Sequence, residues 1–267
     1  MLRLPFTLLT GLLLGQTAAA ADWTDTHRAG PFVCRADYRL NDAGFLHRLS
    51  GLSQELTELL GKPPRGLIEI YLFQDRARYE SYLKTHFPKV AVRRALYLEA
   101  GSGRIVLAYA NPRLESDLRH ECAHALLHAT LEHVPLWLDE GLAVWFEWRQ
   151  GVGRDVPSPQ CPHGEAVRAA AARGEAPSLT ALEAQSDYAQ LQAADYRAAW
   201  AWTDFLLTGP PEARRECLRF LADDAAEQAA LPLGRRLEER LGDVGKRYLE
   251  HFQRPSRNGK PAAGPGK

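Results

Sequence analysis

The chain has 267 residues, with 33 basic and 33 acidic side chains, a length that suits one domain or one domain with a small appendage. Hydrophobic residues make up 45% and charged residues 25%, ordinary values for a chain that folds around a core. The balanced charge excludes a global basic field of the kind that draws nucleic acid or an anionic membrane, so neither is expected as a partner.

The first 21 residues have the layout of a secretory signal: Arg3, then the apolar run Leu4 to Leu14, then the small residues Ala18, Ala19 and Ala20. Cleavage is expected near Ala20 or Ala21. The run is too short to span a bilayer comfortably. No Cys follows it, so a lipid anchor is not indicated, and no later apolar stretch reaches 18 residues. A periplasmic or secreted chain with no stable membrane insertion is expected. In such an oxidising compartment Cys34, Cys122, Cys161 and Cys217 permit disulfides. Their pairing stays open, with Cys122 read as a small buried residue.

Phe32 to Tyr38 reads as a strand, and Asn41 can cap a helix from about Ala43 to Leu60 that ends at Gly61-Lys62-Pro63-Pro64. Leu67 to Phe73 alternates and is β-branched, as a strand does. A short helix follows near Asp75 to Thr85. Ala95 to Glu99 and Arg104 to Ala108 flank Gly101-Ser102-Gly103 as a hairpin. After Asn111-Pro112 the pattern turns helical, with one helix from Leu114 to about Thr130 and a second from Leu136 to Trp148. Residues 151 to 180 read as a loop with one short helix. Ala193 to Leu207 is a strong helical pattern broken by Gly209-Pro210-Pro211, and three short helices are expected up to Phe252. The fold class is α+β: a small N-terminal sheet with helices, then a mainly helical half. One domain is expected over residues 22–253, followed by a disordered tail over 254–267 that is rich in Pro and Gly.

His120-Glu121-Cys122-Ala123-His124 is an HExxH motif. On a helix, positions i and i+4 share one face, so His120 and His124 can grip one metal ion from the same side. Glu121 lies about 100° round the helix, placed to take a proton from an activated water rather than to bind the ion. A catalytic zinc pattern needs a third protein ligand. His128 cannot supply it, because eight residues span about 12 Å along a helix axis. It is read as a packing or orienting residue. The apolar segment Leu136-Trp-Leu-Asp-Glu-Gly-Leu-Ala-Val-Trp-Phe-Glu147 carries three acids, and a charge there is costly unless paired or metal-bound. Glu140 is the natural third ligand. Gly141 lets another backbone approach closely. Asp139 and Glu147 are candidates for orienting the ligands.

HECAH followed by WLDEGLAVWFE resembles the gluzincin, or peptidase MA-like, superfamily of zinc metallopeptidases, over about residues 95 to 207. The resemblance implies a zincin-like fold, a Zn²⁺ ion on His120, His124 and Glu140, and Glu121 as general base. It also implies a tyrosine on a later helix that stabilises the oxyanion. Tyr196 is the candidate and Tyr188 the reserve. Asp139 stands where that family carries Asn. Gly103 to Ala110 lacks the acid with which the aminopeptidase branch holds a substrate amine, so an endopeptidase acting on a peptide or protein is expected. By the same resemblance that strand is an edge on which a peptide can lie. Two rivals remain: a gluzincin-fold binding protein with little activity, and a zinc amidase acting on cell-wall crosslinks.

Overall fold

The computed structural model describes residues 23–41, 44–100, 103–148 and 161–254, without the Ala100 side chain. The signal-like segment and the C-terminal tail lie outside the described residues. The chain divides into two compact units, Met1–Thr130 and Leu131–Lys267. Sheet first and helices after, the architecture is α+β as expected.

The first unit is built on a five-stranded mixed sheet. In chain order its strands are β1 (Asp25–Ala29), β2 (Phe32–Ala36), β3 (Ile68–Phe73), β4 (Ala95–Ala100) and β5 (Gly103–Tyr109). In space they run β1-β2-β3-β5-β4. β1 and β2 form a hairpin, in which Gly30 turns the chain at a φ of 56°. β2, β3 and β5 are parallel, and β4 returns antiparallel to β5. Parallel neighbours need crossovers. Helix α1 (Gly44–Leu60) makes the first, and α2 (Arg76–His86) with β4 makes the second.

Strand alternation sends side chains to two faces. One face packs Tyr71, Phe73 and Leu107 with Leu96 and Leu98 against Tyr79, Tyr82 and Leu83 of α2. The alternate residues Ile68, Ile70, Leu72, Val106 and Ala108 are fully buried as well. Helix α3 (Leu114–Thr130) packs on β4, β5 and α1.

Two strand expectations need correction. β1 was not foreseen, because Asp-Thr-His-Arg-Ala is an edge segment that alternates between half-buried and exposed and has no apolar period to read. The strand expected as a peptide-binding edge is interior: β5 pairs with β3 on one side and β4 on the other. β4 is the edge on that side of the sheet. A long-range parallel pairing leaves no local mark that tells the inner strand of a hairpin from the outer.

The second unit is helical: α4 (Leu136–Trp148), α5 (His163–Ala172), α6 (Leu179–Glu183), a three-ten turn Tyr188–Gln190, α7 (Ala193–Thr208), α8 (Pro211–Ala222), α9 (Ala225–Ala230), α10 (Leu233–Leu241) and α11 (Val244–Gln253). α4 packs along α7, and α5, α8 and α11 also contact α7. Among the described residues beyond α7 there are four short helices instead of three. The extra one, α9, is a six-residue turn that Asp224 caps by accepting from the Ala226 and Glu227 amides. Its composition has too few large apolar residues to show a helical stripe.

Candidate functional site

In the first unit the site is the face of α3. The helix opens with Glu115 and Asp117, which suit the positive end of the dipole. Two arginines from outside the helix hold them. Arg94 grips Asp117 through Nε and Nη2, each at 3.0 Å, and Arg48 grips Glu115 in the same forked way. From Cys122 to Thr130 every residue is buried, so this helix cannot slide or rotate without opening the core.

That rigidity matters for the histidines. His120 is half-buried and His124 buried. Their Nε2 atoms lie 3.2 Å apart, and the rings meet edge to face at 79°. The one-turn spacing therefore makes both ε-nitrogens converge, as the motif implies. Tyr97 of β4 lies near-parallel to both His124 and His128, with ring centroids 6.5 and 5.8 Å away. His128 is buried in this ring packing, and its carbonyl accepts from Arg104 Nη2 at 3.0 Å. Tyr97 was not foreseen as part of the site. Its signal was alternation along β4, which puts it on the face opposite Leu96 and Leu98.

Glu121 is half-buried on the neighbouring side of α3. Burial first, and then its charge, pushes the Tyr79 phenol and the Cys122 thiol upward. All four cysteines are free and buried. Burial raises Cys34 and Cys217 to about 12 and Cys161 to about 11.

In the second unit α4 carries the acids. Asp139 and Glu140 are 1% and 3% exposed, in a helix whose Trp137, Leu138, Leu142, Ala143, Val144, Trp145 and Phe146 are buried. The foreseen close approach at Gly141 is present. A Cβ there would stand 2.6 Å from the Ala199 carbonyl oxygen and 2.3 Å from Thr203 Oγ1 of α7. Farther along, Trp145 Nε1 donates to Asp204 of α7 at 3.2 Å.

The three-ten turn brings Tyr188 to this helix, where its hydroxyl donates to Asp139 Oδ2 at 2.9 Å. Burial and the charges of Asp139 and Glu140 push the phenol far above its usual range, so it stays a donor. Tyr196 is half-buried in the first turn of α7. Glu147 is half-buried in the last turn of α4, and its charge acts on Cys161 and His163 at the start of α5.

The chain matches no protein-family model, and it matches no curated protein.

Proposed function

We propose that the protein is a zinc-dependent peptidase, in which His120, His124 and Glu140 hold the ion and Glu121 is the general base. The observation that carries this reading is the ligand set. His120 and His124 present converging ε-nitrogens from one helix, and Glu140 is a carboxylate only 3% exposed in an apolar one. Zinc–nitrogen bonds of about 2.0–2.1 Å at a tetrahedral angle put two bound nitrogens about 3.3 Å apart. The His120–His124 separation of 3.2 Å meets that requirement. Two imidazoles and one carboxylate are also the donor set of a known class of catalytic zinc site, with a position left for water or substrate.

When bound, the ion supplies Lewis acidity at a substrate carbonyl and at water. The protein's own residues do the rest. His120 and His124 present ε-nitrogens from a helix clamped at its start by Arg48 and Arg94. Glu121, displaced round the helix from the ligand pair, takes the proton from the attacking water and hands it to the leaving amine. Tyr196 is proposed to donate to the oxygen on which negative charge builds. Peptides are proposed as substrates, and export as the route to them.

The test is metal analysis of the purified chain alongside digestion of a broad peptide library. One zinc per chain and cleavage that vanishes in Glu121→Gln are expected. A chain that takes up no zinc, or a Glu140→Ala variant that binds as much as the parent, refutes the reading.

A further inference from the structure

We infer that Tyr188 is a positioning residue for the metal centre: it holds Asp139, and through Asp139 it sets the rotation of the first turns of α4, where Glu140 sits. The inference rests on the proposed role of Glu140 as a ligand.

Asp139 and Glu140 are neighbours on a helix, so their side chains leave the axis about 100° apart. They cannot both point at one ion. Asp139 points at the three-ten turn instead, where Tyr188 donates to it at 2.9 Å. A carboxylate only 1% exposed needs such a donor.

The donor is itself fixed. Asp187 caps the turn by accepting from the Ala189 amide at 2.9 Å, and Gln190 Nε2 donates to the same carboxylate at 3.1 Å. Gln185 Nε2 donates to Asp195 Oδ1 at 3.0 Å, while Asp195 Oδ2 accepts from the Gln192 amide at 2.8 Å. Asp195 thus ties the segment on both sides of Tyr188 into the start of α7. α7 returns to α4 at Gly141, one residue beyond Glu140, with no room for a Cβ between them. The bond therefore closes a ring of contacts: α4, Tyr188, the 185–195 segment, α7, and α4 again. A tyrosine in such a ring resists rotation of the helix. Rotation is the motion that swings Glu140, because Gly141 already blocks translation toward α7. Groups that orient ligands in this way typically hold 10–100-fold of metal affinity.

The experiment is a zinc titration of the full-length chain against a chromophoric chelator, with thermal melts of the zinc-free variants. Tyr188→Phe and Asp139→Ala are each expected to weaken zinc by about 10–100-fold. The double variant is expected to be no weaker than the worse single one, since both remove the same bond. Asp139→Asn keeps a carbonyl acceptor for the phenol, and most of the affinity should return. If the alanine variant does not fold, Tyr188→Phe and Asp139→Asn still decide the matter. Parental zinc affinity in Tyr188→Phe, with or without a loss of turnover, overturns the inference while leaving the zinc site standing. Additive losses in the double variant overturn it too. A parent chain that binds no zinc defeats the proposed function, and this inference with it.

Discussion

Replacing Gly141 by Ala tests the packing that brings α7 against the acidic turn of α4. The added Cβ would stand 2.6 Å from the Ala199 carbonyl oxygen, short of ordinary contact by about 0.8 Å. Thr203 Oγ1, at 2.3 Å, can turn aside by changing rotamer. The carbonyl belongs to the α7 backbone and cannot. The helices must part instead, loosening Leu142, Ala143 and Trp200, all of which are buried. Overpacking of this kind costs typically 1–3 kcal/mol, and a backbone obstacle places it at the upper end. Alanine's better helix propensity returns about 0.5–1 kcal/mol. A net loss of about 2 kcal/mol follows, or roughly 4–8 °C in Tm for a chain of this size. Gly51 in α1 is the control, because a Cβ there meets nothing within 4 Å. Gly51→Ala should therefore raise Tm by a few degrees. Circular-dichroism melts in the presence of a chelator measure both without metal linkage. A Gly141→Ala variant that melts at or above the parent, while Gly51→Ala behaves as expected, refutes the close-approach argument.

Glu121→Gln should keep zinc content and Tm while peptide turnover falls about 10²–10⁴-fold, the range for a lost general base; single-turnover assays at matched zinc content check this. Tyr196→Phe should lower kcat on the order of 10²–10³-fold with KM and zinc affinity unchanged, as loss of one oxyanion donor does, and unchanged kcat refutes that assignment. The thiols give a pH dependence whose sign is fixed. Cys34, Cys217 and Cys161 stand at about 12, 12 and 11 against an ordinary 9.0. The unfolded chain thus loses protons first, and the stability they contribute is complete below pH 9 and falls as pH rises toward 12. Denaturant titrations at pH 8 and pH 10.5 should show the decline. At pH 8 the folded chain should also react with iodoacetamide far more slowly than the unfolded chain, since thiolate and access are both scarce.

Much of this protein is determined by local pattern. HExxH on a helix sends two imidazoles the same way because 3.6 residues make a turn, and the structure puts their ε-nitrogens 3.2 Å apart. Acids inside an apolar helix are legible because buried charge is expensive, which marks Asp139, Glu140 and Glu147 before any coordinates, but only the fold buries the first two and leaves Glu147 half-buried. Gly141 is legible for a similar reason, as a gap in an otherwise bulky helix. What local pattern cannot supply is partnership between distant segments. β1 escaped notice because an edge strand with two polar faces has no period. β5 was expected as an edge from the family resemblance alone; its parallel pairing with β3 depends on a crossover, which no residue of β5 records. The reserve status of Tyr188 has the same origin: Asp139 is 49 residues away in the chain, and only the tertiary fold puts a hydroxyl within hydrogen-bonding distance of that carboxylate. Side-chain chemistry and helical spacing decided which groups this protein can use. Long-range packing decided which of them meet, because each pairing depends on the position of two separate backbones.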